Sequence, residues 1–168
     1  MIETFIKREQ LVKDHTAKNL AEPYLKKSRS NLVTMELLSK AEKFRDVLAL
    51  PKDHTTDEWV VVTAYYAMYM AALALLAKLG FRSKSHTATS VALEELFVKR
   101  KLLDKSHFEN FENLRIQKEE IEMLRDVRDR REIAQYSVTK KTTKDIAEKT
   151  KSDARKFVDR AEEIFENL

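Results

Sequence analysis

The apolar residues of this chain fall into one unbroken block and several stripes. From Trp59 to Ala77 there are 19 residues without a charge, in a sequence of which 36% is charged. Alanine, tyrosine and leucine dominate the block, and it holds no proline or glycine. Thr55-x-x-Glu58 at its start has the spacing of a capping box, and Gly80, the single glycine of the protein, stands where a helix C′ residue belongs. The pattern predicts a helix over 56–80 that is apolar on nearly every side, so lipid or other helices must surround it. A bilayer needs roughly 20 apolar residues. This block is barely that long, is less oily than a leucine-rich span, and stands alone. It reads as the buried helix of a bundle, with no membrane role.

The other segments carry stripes that need a partner surface. Over 24–50, Leu25, Leu32, Met35, Leu38, Ala41, Phe44 and Leu48 recur mostly at three- and four-residue steps, until Pro51 stops the pattern. A further helix is expected from about His86 to Val98, with Ala88, Ala92, Leu93, Leu96 and Phe97 inward. Next comes a long one over 107–135, opened by a second capping box at Ser106-x-x-Glu109, with Phe108, Phe111, Leu114, Ile121 and Leu124 inward. Its distal part is heavily charged and reads as wet or paired. A last helix over 143–167 has the cleanest stripe, from Ala147 to Leu168. Residues 3–19 look helical but poorly amphipathic, with Phe5, Ile6, Leu11 and Val12 as the main apolar groups, and Pro23 interrupts them. The expected architecture is all-α: an antiparallel up-and-down bundle of about five helices over 24–168, with a helical N-terminal arm over 1–23.

Composition agrees. One glycine and two prolines leave few turns for a sheet-rich fold. The absence of cysteine excludes disulfides, thiolate nucleophiles and cysteine-ligated metals. MIETFIKREQ lacks the apolar core of a secretion signal, so a cytoplasmic protein is expected. The net charge of +4 comes from 32 basic and 28 acidic residues that are largely interleaved, as on a solvated surface laced with ion pairs.

The common catalytic constellations are missing. His15, His54, His86 and His107 include no i,i+4 pair, no HExxH is present, and one glycine cannot build a phosphate-binding loop. No cofactor or metal is expected. Two features remain. Tyr65 and Tyr69 share one helix face while Tyr66 points about 100° away, a pattern more typical of core packing than of a cleft. Arg125, Arg128 and Arg131 line a face by threes near the end of the 107–135 helix, followed by Tyr136, Lys140 and Lys141. They form either a solvated helix end favourable to the helix dipole or an anion or RNA-phosphate site.

AYYAMYMAALALLAKLGFRSKSHTA resembles the HEPN domain (higher eukaryotes and prokaryotes nucleotide-binding), in its small stand-alone prokaryotic branch. Tyr65, Tyr66, Ala67, Met68, Ala71, Ala72, Leu75, Gly80, Ser85 and His86 carry the likeness, and Arg131, Ala134 and Tyr136 match that branch's Arg-x-x-Ala-x-Tyr ending. The resemblance covers about residue 28 to the end. It implies a bundle that often forms homodimers and often pairs, as toxin or antitoxin, with a minimal nucleotidyltransferase. Active relatives are metal-independent ribonucleases that use Arg, four to six residues, then His. Aligned on Arg128, the histidine position holds Ala134; aligned on Arg131, it holds Tyr136. Neither alanine nor a tyrosine of pKa about 10 readily replaces an imidazole near neutral pH. Arg8 to His15 and Arg100 to His107 have literal spacing, but roughly 0.9 such matches arise by chance and neither lies at the expected helix end.

Three functions are therefore weighed. One is an interaction module that partners a nucleotidyltransferase and takes nucleotide or RNA without strong nuclease activity. The second is a ribonuclease toxin using Arg131 and Tyr136, with His86 as another candidate acid/base. The third is a structural helical adaptor.

Overall fold

The structure, a computed structural model, describes residues 2–129 and 144–168, and for 124–129 the backbone alone. Its elements in chain order are α1 (Ile2–Lys7), β1 (Leu11–Lys13), a 3-10 turn (His15–Leu20), α2 (Ala21–Lys40), a second 3-10 turn (Ala41–Phe44), α3 (Asp57–Lys78), β2 (Phe81–Ser83), α4 (His86–Leu93) with a π-helical extension (Glu94–Val98), α5 (Lys105–Asp129) and α6 (Lys144–Glu166).

The expected bundle is present, and α3 is its axis. Helix α2 runs antiparallel to α3, as shown by Ser28 Oγ donating to the Ala67 carbonyl (2.7 Å) and Thr56 Oγ1 donating to that of Leu38 (2.7 Å). Helix α6 runs parallel to α3, with the Lys78 ammonium 4.2 Å from the Phe165 ring centroid where the two helices end. Ala64, Ala67, Ala71, Ala72 and Ala74 of α3 are fully buried, and such small side chains let neighbouring backbones come close. Although α3 is long and apolar enough to cross a membrane, 83% of its most apolar window is buried inside the protein. Protein, and not lipid, surrounds it.

The stripe of α6 packs as expected from Ala147 to Phe165, while Leu168 is half exposed. The stripe over 24–50 holds only in part. Leu32 and Met35 are buried, but Phe44 and Leu48 are more than half exposed. The α-helix gives way to a 3-10 turn at Ala41, and the change from 3.6 to about 3.0 residues per turn carries the later positions off the inner face. Pro23, expected as a break, sits in the first turn of α2, where its missing N–H would have no partner in any case.

Both capping boxes are corrected. The N-cap of α3 is Thr56, and its hydroxyl donates to Leu38 instead of capping. Helix α5 begins at Lys105, with Phe108 N–H donating to the Asp104 carbonyl, so Ser106 lies inside it. Gly80 does hold the expected C′ position, with φ +79° and its N–H donating to the Ala77 carbonyl (2.9 Å).

The larger departure is at the N-terminus. Only Ile2–Lys7 of the expected 3–19 helix is α-helical. Leu11–Lys13 instead pairs antiparallel with Phe81–Ser83, in the register Leu11↔Ser83 and Lys13↔Phe81. Leu11 is fully buried, and Asp14 N–H donates to the Gly80 carbonyl (2.8 Å). Asp14 also accepts from Thr16 N–H (2.9 Å), capping the 3-10 turn, and meets Arg82 across the pair (3.2 Å). A short strand therefore stitches this segment to the connection between α3 and α4.

Candidate functional site

That connection places His86. After β2, Ser85 adopts an extended backbone and its Oγ accepts from Ala88 N–H (3.1 Å), which starts α4 at His86. The Thr89 hydroxyl bonds Ser83 Oγ (2.8 Å), bracing the same turn. As a result the imidazole lies against the tyrosine face of α3.

Tyr65 OH and His86 Nδ1 are 2.5 Å apart. The Tyr69 ring stacks on His86 with centroids 4.2 Å apart and planes 26° apart, and Tyr66 meets the imidazole edge-on at 6.4 Å. Tyr65 stacks in turn on Phe111 of α5 (5.7 Å), and Phe111 on Phe157 of α6 (5.5 Å). A continuous file of rings thus crosses the bundle from partly buried His86 to fully buried Phe157.

Lys118 of α5 closes the cluster. It is 6% exposed, with Nζ 5.3 Å from the Tyr66 centroid, 5.8 Å from that of Tyr65 and 2.5 Å from Glu122 Oε2. Burial disfavours its charge, but the bond to Glu122 and the neighbouring Tyr66 outweigh burial and hold Lys118 above the usual lysine range. Farther back, Ser90 of α4 donates to the Glu112 carboxylate, which Arg115 grips at 3.2 Å while reaching Glu119 at 2.8 Å.

These neighbours set the protonation states. Burial, then Tyr69, pushes the Tyr65 phenol far above the usual tyrosine range, so it keeps its proton. Burial, then the Lys118 ammonium, lowers the His86 imidazole below its usual range, so it is neutral at pH 7. The protonated phenol and the neutral imidazole thus share one hydrogen bond at Nδ1, whose direction is set by the imidazole tautomer. One ring nitrogen of His86 is engaged and one face is covered.

Arg125 and Arg128 are on the α5 backbone, seven and ten residues past Lys118, or about 10 and 15 Å along the axis; their side chains lie outside the described residues, as does that of Leu124. Arg131, Tyr136, Lys140 and Lys141 also lie outside the described residues. Among the described residues no cluster of His, Asp and Glu is placed to hold a metal ion. Sequence reasoning missed Lys118 as a buried group, because it stands in a charged run read as wet or paired. Its spacing from Phe111, Leu114 and Ile121, all buried, was the available signal, because steps of three and four put it on the inner face.

An all-α bundle closed by a His–Tyr contact between its central helix and a short fourth helix is the class of protein these elements define. A family model described as the HEPN domain matches residues 34–167, most of the chain, and the protein belongs to that family. No curated protein matches the chain.

Proposed function

We propose that this HEPN domain is an interaction module: a homodimeric, cytoplasmic partner of a minimal nucleotidyltransferase in a toxin–antitoxin arrangement. It takes nucleotide or RNA at the arginine-bearing end of α5 and lacks strong nuclease activity. The observation that carries this reading is the engagement of His86, whose Nδ1 shares a hydrogen bond with Tyr65 OH and whose ring stacks on Tyr69. This contact joins the start of α4 to the central helix and leaves only Nε2 of the imidazole for other chemistry. In the sequence that follows α5, the position of the family's catalytic histidine holds Ala134 or Tyr136. Arg125, Arg128, Arg131, Lys140 and Lys141 can bind phosphate without that histidine.

Co-expression with the nucleotidyltransferase encoded nearest to it, followed by co-purification, tests the partner. Incubating the pure protein with RNA in the presence of a chelator tests the activity. The expected result is retention of RNA that weakens with salt, and no cleavage. Metal-independent cleavage lost in Arg131→Ala or Tyr136→Phe would instead establish the ribonuclease toxin. Salt-insensitive protein association without RNA retention would establish the structural adaptor.

A further inference from the structure

Helix α2 has two apolar faces, and the protein covers only one of them. Its inner face packs on α3, with Leu32 and Met35 buried. On the opposite side Pro23, Lys26, Ser30, Val33 and Leu37 recur at alternating three- and four-residue steps, and all five are exposed. That spacing is the seam of a coiled coil and puts the five in one line along the helix. Val33 is 62% and Leu37 68% exposed. Just past the helix, Phe44, Val47 and Leu48 are also more than half exposed. Their turn is held in place: Arg45 donates to the carbonyls of Pro51 and His54, and Ala49 has φ 49°, a left-handed conformation unfavourable to a residue with a Cβ. Five large apolar side chains so displayed are comparable to the largest patches on monomeric proteins, roughly 300–600 Å² and often functional.

This face is complementary to itself. Two copies of α2 laid antiparallel about a two-fold axis at the level of Met35 set Val33 of each copy against Leu37 of the other. The same axis matches the far ends. Phe44 lies about 16 Å past Met35, five residues at 1.5 Å and four at 2.0 Å. Lys26 lies about 14 Å before Met35, nine residues at 1.5 Å. Phe44 of one copy therefore reaches the groove that Glu22, Pro23, Lys26, Lys27 and Ser30 line on the other, where lysine stems can cover its ring. The charges at the flank agree. Arg29 is gripped by Glu162 (2.6 Å) and Asp159 (2.8 Å), a cluster of net negative charge, and Lys43 of the second copy comes within about 5 Å of its level along the axis. We infer that the outer face of α2 is the contact between two copies of this chain, paired antiparallel with Val33 against Leu37. This rests on the homodimer proposed above and adds the surface that forms it.

Sedimentation velocity of the full chain tests the assembly, and substitutions on α2 test the face. The wild type should have twice the chain mass of 19.7 kDa. Leu37→Glu should weaken association about tenfold or more while keeping the helical circular dichroism spectrum. Ile116→Glu, at an exposed apolar position of α5, should leave association unchanged. Because the chain has no cysteine, Val33→Cys mixed with Leu37→Cys should form an interchain disulfide faster than either variant alone. That pair decides the matter if Leu37→Glu fails to fold. A dimer that Leu37→Glu leaves intact overturns the α2 face while the homodimer stands, as does equal loss in Ile116→Glu or a disulfide no faster in the mixture. A wild type that stays monomeric up to about 100 μM overturns both the face and the homodimer.

Discussion

Tyr65 OH and His86 Nδ1 lie 2.5 Å apart although 21 positions separate them in the chain. This contact joins the central helix to the start of α4. Tyr65→Phe keeps the ring stacked on Phe111 and removes only the hydroxyl, so it should cost about 1 kcal/mol. For a chain of this length that lowers the melting temperature by about 2–4 °C. A double-mutant cycle with His86→Phe should return a coupling of similar size, and additive single effects would show that the contact contributes nothing.

The depressed pKa of His86 makes stability depend on pH with a definite sign. The folded protein binds this proton less readily than the unfolded chain, in which histidine titrates near 6.5. Stability contributed by neutral His86 is therefore complete above pH 6.5 and falls as acid charges the unfolded chain first. Urea midpoints should drop from pH 7.5 to 5.5, and His86→Gln should flatten that decline. An imidazole NMR titration should place the His86 midpoint below that of free histidine.

Lys118 and Glu122 form a pair with unequal burial, their side chains being 8% and 44% exposed. Lys118→Met replaces a buried ammonium with an apolar group of similar length, and the change should be neutral or stabilising. Glu122→Gln leaves the ammonium without its carboxylate and should cost on the order of 1–3 kcal/mol. Guanidinium unfolding of the two variants distinguishes them. Equal losses would mean that charge at Lys118 is itself required by the fold.

Gly80 holds φ +79°, and a Cβ added there would meet only ordinary contacts, the nearest being His15 Nδ1 at 3.7 Å. Gly80→Ala should therefore cost about 1–2 kcal/mol from backbone strain alone. Lys101, at φ 60°, is the opposite case, and Lys101→Gly should be neutral or slightly stabilising. Thermal melts of the two variants should move in opposite directions or, for Lys101→Gly, not at all.

Much of the bundle was legible because periodicity is a local signal. The uncharged run of α3, the glycine after it and the stripe of α6 each encode burial within a few turns of helix. The β1–β2 pairing was not legible, since Leu11–Lys13 is three residues long and its partner lies far along the chain. The cap of α3 was misplaced by one residue because Thr55 and Thr56 are chemically equivalent, and only the nearby Leu38 carbonyl distinguishes them. In the candidate site, His86 and the tyrosines were visible as residue types. Their contact depends on how Ser83, Ser85 and Thr89 brace one turn, which spacing alone does not encode.

The pairing of β1 with β2 also orders the assembly of the protein. About 70 residues separate the two strands, and closing a loop of that length is entropically costly until helix packing brings its ends together. During synthesis Leu11 emerges from the ribosome early, yet its partner strand exists only after α2 and α3 have been made. β1 thus stays undocked until Ser83 has been made, about halfway along these 168 residues, and until then the nascent chain keeps a buried leucine of the finished fold open to solvent.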